Sequence, residues 1–258
     1  MTRPTPEHPW MVSIPVSPYC ELARWTLDRL GIAYVEEAHA PVFHVWAARR
    51  HGGGGTVPVL DVGERSLTDA RQVVEYYDPR APEPLRLFPA DPAERGEAKQ
   101  VFDELFDGLG VAVRAWAYAY MLPRRADTVR VWLVGAPRLE QRLVPVAYPV
   151  IAALVRRNLG LRSDTIQSER AVIDASLGRI DERLQDGRRY LLGNRLTAPD
   201  LAFAALVAPA VLPDRYGGPL PTLDELPERM RLDVHEIRAT AAGELAQRLY
   251  REERPQRA

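Results

Sequence analysis

Beyond Leu67 the apolar residues of this 258-residue chain never again alternate with a period of two. A half-buried strand needs an apolar side chain at every second position, and a helix face needs one at every third or fourth. The strands must therefore lie in the first quarter of the chain, and the remaining three quarters must be helical. Between the two regimes, Asp78 to Pro89 holds prolines at 79, 82, 84 and 89. Prolines at that density neither extend a helix nor pair in a sheet, so the stretch reads as a linker. The expected architecture is an α/β domain followed by an all-α domain, with no internal repeat.

The helical part opens at Asp91-Pro92-Ala93-Glu94, a cap, a first-turn proline and an acidic residue three positions after the cap. Phe102, Phe106, Leu109, Val113, Trp116 and Tyr120 then step by four and three, which predicts one long helix ended by Pro123. Helical patterning resumes over Thr128–Val134, Leu139–Leu159, Asp164–Leu184, Ala198–Leu212 and from Pro227 to about Tyr250. Thr197-Ala198-Pro199-Asp200 is a capping box, with Leu196 and Leu201 placed as its hydrophobic staple.

The first part is organised around Trp10 to Gly31. Met11, Val12 and Ile14 form a short strand. Ser17 and Pro18 read as an N-cap and first helical residue, and Leu22, Trp25, Leu27 and Leu30 supply the apolar face that Gly31 ends. A second strand is expected over Ala33 to Ala38 and a short helix over Val42 to Arg50, closed by four glycines, Gly52 to Gly55. That loop lacks the lysine and hydroxyl of a phosphate loop. It reads as a flexible entry to the next strand, with Arg49, Arg50 or His51 as the side chains able to reach a ligand carboxylate. Thr56 to Asp61 is a strand interrupted by Pro58, Val62 to Arg65 a turn, Ser66-Leu67 a return strand and Thr68 to Tyr76 a helix. Ser17 thus sits on a strand-to-helix turn, beside free backbone donors and the positive end of a helix dipole, where an anion such as a thiolate is stabilised.

Composition narrows the function. Hydrophobic and charged contents of 46% and 27% are those of an ordinary globular protein, and a net charge of −1 offers no electrostatic attraction to nucleic acid or an anionic membrane. A single cysteine permits no intrachain disulfide, and the five histidines lack metal-ligand spacing, so no metal is implied. The most lipid-like stretch, Val144 to Leu159, is too short to span a bilayer. Residues 1–9 are polar and proline-rich, without the apolar core of a signal peptide, and are expected to form a disordered tail. The expected location is cytoplasmic.

In their order and separation, Ser17-Pro18-Tyr19-Cys20, Val57-Pro58-Val59-Leu60, the acidic helix start at Asp69 and the stretch Tyr190 to Leu201 resemble the soluble glutathione transferases. The likeness runs from Trp10 to Leu212. It implies a thioredoxin-like thiol-binding domain over 10–78, a linker over 79–90 and an all-helical domain carrying the hydrophobic substrate side over 91–258. It also implies glutathione as co-substrate, a hydrophobic electrophile as its partner, and a homodimer formed through the helix near Pro92 and the turn at Gly63.

The resemblance assigns roles residue by residue. A serine at position 17 hydrogen-bonds the sulfur of the thiol and favours its thiolate. Pro58 is cis in thioredoxin-like folds and exposes the backbone of Val57, which then pairs with an extended tripeptide. Asp69 matches the acid that holds the γ-glutamyl end; Ala70 stands where the family has a serine, which leaves room for another thiol or for none. Trp116 and Tyr120, with Tyr118 between them, match the helix that lines the electrophile pocket. Ser17-Pro18-Tyr19-Cys20 also resembles the glutaredoxin motif with its first cysteine replaced. The chain thus admits three readings: a transferase using Ser17, a non-catalytic ligand- or protein-binding member of the same fold, and a thiol–disulfide oxidoreductase using Cys20.

Overall fold

The structure, a computed structural model, describes residues 3–255. The first part runs β1 (Trp10–Ser13), α1 (Pro18–Arg29), β2 (Val35–Ala38), α2 (His44–Arg50), β3 (Val59–Asp61), β4 (Ser66–Leu67) and α3 (Ala70–Tyr77). The strands form one sheet in the order β2-β1-β3-β4. β2 lies parallel to β1, which requires the α1 crossover; β3 is antiparallel to β1, with Met11 opposite Leu60. This is the thioredoxin-like arrangement. β2 begins two residues later than expected, and Pro58 precedes β3 instead of interrupting it, so its missing N–H costs the ladder nothing.

Residues 3–9, expected as a tail, fold back on the domain. Thr5 and His8 bridge one another, and the Pro6 carbonyl accepts a hydrogen bond from the Tyr77 hydroxyl at 2.7 Å. The Pro4 carbonyl presses on the β3–β4 turn at Gly63, whose φ is +86° and whose absent Cβ would lie 2.3 Å from that oxygen. Glycine is required there twice over.

Among the described residues the second part contains eight α-helices: α4 (Pro92–Glu104), α5 (Gly110–Met121), α6 (Arg125–Trp132), α7 (Arg138–Asn158), α8 (Thr165–Leu184), α9 (Ala198–Val211), α10 (Glu228–Arg238) and α11 (Ala241–Glu252). The single long helix expected up to Pro123 is divided by a π turn at Leu105–Leu109. The cause is Tyr19, whose hydroxyl donates to the Phe106 carbonyl at 3.0 Å and whose ring lies edge-on to Phe106. Gly110 makes room, since a Cβ there would come within 2.8 Å of the Tyr19 oxygen. The last helical stretch is likewise two helices, because the Thr240 hydroxyl caps a new start by accepting from the Gly243 N–H.

α9 is buried over its whole length, and its apolar residues share one core with α1 and α3. Its start is the predicted capping box, in which the Asp200 carboxylate accepts from the Thr197 and Leu191 N–H groups at 2.8 Å. The linker is anchored too. The Asp78 carboxylate accepts from the Leu87 and Phe88 N–H groups, which seats both side chains in that core. No helix among the described residues is long and apolar enough to cross a membrane.

Candidate functional site

A cleft of about 490 Å³ opens between the two parts of the chain. One wall is built from Ile14 to Pro18, the β2–α2 connection and Gly55 to Val57; the other comes from α5, α6, the end of α7 and the end of α9. Its lining is mainly aliphatic and aromatic, the character of a site for an apolar small molecule. Among the described residues only Val42 (φ +77°) and Leu212 (φ +44°) are non-glycines in the left-handed region, and both line this cleft. Each costs about 1–3 kcal/mol of backbone strain, the kind that persists where function needs a particular shape. Leu212 is held by Arg238, whose guanidinium donates to the Val211 and Leu212 carbonyls at 2.7 and 2.8 Å.

Ser17 lines the cleft as the N-cap of α1. Its hydroxyl accepts from the Cys20 N–H at 3.4 Å, a long contact that leaves the oxygen available to a stronger partner. The Val57–Pro58 bond is cis, as expected, and Val57 lies outside the β1–β3 ladder, which begins at the Val12–Val59 pair. Ser17 and Val57 both line the cleft.

Cys20 is placed differently. It is fully buried one turn into α1, and burial pushes its thiol up to about 11 against the opposing influence of Arg24 and the Ser17 hydroxyl. A thiol so placed is protonated at neutral pH and closed to a substrate disulfide.

The start of α3 is partly closed. One carboxylate oxygen of the half-buried Asp69 accepts from the Gln72 N–H at 2.8 Å, and the Gln72 side chain folds back on Thr68 by two further bonds. Ala70 is completely buried in the core and presents no surface to a ligand. Neighbouring Arg71 reaches across to Asp103 and Asp107 beside α4 and lies over the Phe106 ring. Neither Asp69 nor Ala70 lines the cleft.

Trp116 and Tyr120 are on the wrong face of α5 for the role expected of them. Trp116 is fully buried, and the Tyr120 hydroxyl donates to Asp233 of α10 at 2.9 Å. The face of α5 that lines the cleft is the next stripe, Arg114, Ala117, Tyr118 and Met121, joined by Trp132 of α6. Desolvation pushes the Tyr118 phenol up to about 12, so it keeps its proton. The spacing of that stripe is visible in the sequence; nothing local says which of two adjacent stripes faces a cavity.

Of the basic residues before the glycines, Arg49 is exposed, while Arg50 and His51 are occupied elsewhere. Arg50 pairs with Glu37 at 2.9 Å, and the buried His51 ring contacts Asp61 at 3.1 Å. His44, not singled out by the sequence, lines the cleft with its Nε2 against the Gly55 carbonyl at 3.1 Å, and burial lowers its pKa. No cluster suited to a metal ion occurs among the described residues.

Comparison with known proteins agrees with this fold. Residues 11–85 match the family model of the glutathione S-transferase N-terminal domain. The fold resembles a glutathione S-transferase from Methylobacillus flagellatus solved with glutathione bound: 20% identity, 92% of this chain against 98% of that one, TM-score 0.54. It also resembles glutathione transferase GSTFuA3 from Phanerochaete chrysosporium (16% identity, 97% and 98% covered, TM-score 0.62). A third relative in fold, from Methylobacterium radiotolerans, was solved with glutathione sulfonate (18% identity, 92% and 93% covered, TM-score 0.55). No curated protein matches the chain in sequence.

Proposed function

We propose that the protein binds glutathione and conjugates it to a hydrophobic electrophile, a reading supported by the match of residues 11–85 to the glutathione S-transferase N-terminal domain and by the likeness of the whole chain in fold to solved glutathione transferases. The observation that carries this reading is the Ser17 hydroxyl, set at the start of α1 in the lining of an apolar cleft that also includes Val57 of the cis Val57–Pro58 bond.

In this reading glutathione lies extended along Val57, whose backbone N–H and C=O pair with it as an added strand would. The Ser17 hydroxyl donates to the sulfur, and the α1 dipole favours its negative charge. A free thiol of pKa ~8.5 is only a few per cent ionised at pH ~7; lowering it by about two units raises the reactive fraction roughly twentyfold, worth ~2.7 kcal/mol. The thiolate then attacks an electrophile held by Tyr118, Trp132 and their aliphatic neighbours. Residues 10–78 serve the thiol, 91–258 the electrophile, and 79–90 join them. A homodimer through α4 and the turn at Gly63, working in the cytoplasm, completes the proposal; sedimentation showing only monomer at micromolar concentration contradicts the dimer.

A second reading is favoured by one observation, the partly closed start of α3. If glutathione needs both Asp69 and the residue after it, this site offers the first only in part and the second not at all, and the protein is a non-catalytic binder of other ligands. Calorimetric titration with glutathione separates the two. Binding at micromolar to low-millimolar concentration, with conjugation of an aryl halide that Ser17→Ala abolishes, supports the transferase. No binding supports the second reading.

A further inference from the structure

α6 and α7 are held outside the main core by a second one, built around Trp132, Val144, Tyr148 and Ile151. The Glu140 carboxylate fixes the start of α7, contacting Nδ1 of His39 at 2.6 Å and accepting from the Ala40 N–H at 2.9 Å. With that face turned inward, α7 presents another to solvent. Leu139, Leu143, Val146, Val150 and Ala153 step along it by four and three and are all exposed, Val146 by 80% and Leu139 by 66%. Prolines 145 and 149 do not break the helix. Pro149 leaves the Pro145 carbonyl without its helical donor, and the Arg125 guanidinium replaces it at 2.7 Å. An apolar ridge of strict four-three spacing is the seam by which one helix packs on another, narrower than the stripe that joins a helix to a core.

The charges beside this seam have one sign. Glu140 is the only acid of α7 and points inward, while Arg138, Arg142, Arg156 and Arg157 are exposed and make no ion pair among the described residues. Exposed arginines elsewhere do find carboxylates: Arg50 pairs with Glu37, Arg130 with Glu225 and Arg189 with Glu252. At ~100° per residue, Arg138, Arg142 and Arg156 fall along one edge of the seam and Arg157 at its end. Such a pattern argues against a second copy as occupant. Antiparallel overlay of two seams brings Arg142 beside Arg156 at both ends, and parallel overlay brings Arg157 against itself. It suits a membrane poorly too, because the seam is narrow, holds no aromatic side chain and is cationic along one edge only. We propose that this face of α7 docks an amphipathic helix of another protein, whose apolar side closes the seam and whose acidic edge pairs with Arg138, Arg142 and Arg156. This role is independent of thiol chemistry in the cleft.

The test uses two synthetic peptides of about three heptads, both with leucine at a and d, one with glutamate and the other with lysine at e and g. Fluorescence anisotropy on the full chain at low salt is expected to show the glutamate peptide binding at least about tenfold more tightly than its twin. That is the worth of two or three exposed ion pairs, and the preference should shrink as salt is added. Val146→Asp alters an exposed side chain and should weaken the glutamate peptide about tenfold or more. Val172→Asp, equally a surface change but on α8, should not. Arg142→Glu combined with Arg156→Glu should turn the preference round so that the lysine peptide binds better, a gain that a misfolded chain cannot produce.

Failure of wild type to bind either peptide, or equal binding of both, overturns the inference. So does a glutamate preference that survives the double reversal, or a loss in Val172→Asp as large as in Val146→Asp. Two measurements on the same proteins test the other occupants. A wild-type dimer in sedimentation that Val146→Asp dissociates gives the seam to a second copy. Flotation with vesicles of phosphatidylcholine and phosphatidylserine that Val146→Asp abolishes gives it to a membrane. Either result overturns the inference, whereas a dimer left intact by Val146→Asp, together with the peptide preference, sustains it.

Discussion

Two helix starts in the thioredoxin-like domain carry similar local signals and end up with opposite uses. α1 begins at Ser17 and α3 at Asp69, each with a side chain accepting from the backbone three residues on. At Ser17 that bond is 3.4 Å long and the residue lines a cleft; at Asp69 it is 2.8 Å, and the next residue is sealed in the core. A cap can satisfy its own helix or serve a ligand, and the tertiary structure around it decides which. Here the first start is open and the second is largely spent on its own fold.

A third start marks the extreme of the closed kind. At α9 the Asp200 carboxylate is fully buried and takes two backbone donors and the Thr197 hydroxyl. Asp200→Ala, which leaves those donors unpaired, should lose roughly 3 kcal/mol or more in urea unfolding, the largest effect expected. Burial also raises this carboxyl from 3.8 to about 6. The folded protein then holds the proton more tightly than the unfolded chain, so the group's contribution is fully present below about pH 4 and is lost as pH rises through about 6. Against Asp200→Asn, which cannot titrate, wild-type stability should fall by on the order of 3 kcal/mol over that window and stay flat above it.

Cys20 belongs with the closed positions although it is in the open helix. With its thiol pushed up to about 11, alkylation near pH ~7 should be at least about a hundredfold slower in the folded protein than in urea. Rapid alkylation of the folded chain would make the α1 start a two-residue site and revive the oxidoreductase reading.

Smaller effects separate the α1 and α3 starts themselves. Asp69→Ala should cost about 1 kcal/mol of stability, the worth of a cap. Ala70→Ser should cost about as much and gain nothing in glutathione affinity, because the added hydroxyl is buried. Tightening by about 1 kcal/mol instead would show that the α3 start opens to its ligand and would break the comparison.

Local features were legible in the residues, and shared surfaces were not. The strand and helix order and the caps at Ser17, Asp91 and Thr197 each depend on neighbours a few positions away, while the cis bond at Pro58 is what the resemblance to thioredoxin-like folds implies. The break at Leu105–Leu109 depends on a tyrosine 87 residues distant, and so escaped the helical periodicity. The pocket face of α5 escaped for a related reason. Trp116 and Tyr120 form the stronger stripe, but α8 and α10 claim that face and leave the cleft to Arg114 and Tyr118. Burial of Ala70 is likewise a property of packing that residue type alone does not carry, whereas Cys20, one turn into a helix that packs on the sheet, reads as a buried thiol from its position.

Ser17→Ala should scarcely affect folding, at most about 1 kcal/mol given so long a cap bond, and that makes the decisive measurement clean. It is the ultraviolet titration of thiolate in the glutathione complex of wild type, Ser17→Ala and Cys20→Ala. The account predicts a bound thiol in wild type ionising about two units below the ~8.5 of a free thiol, an unchanged value in Cys20→Ala and a return toward ~8.5 in Ser17→Ala. A bound thiol with an unshifted pKa in wild type, or a lowered one that survives Ser17→Ala, would contradict it.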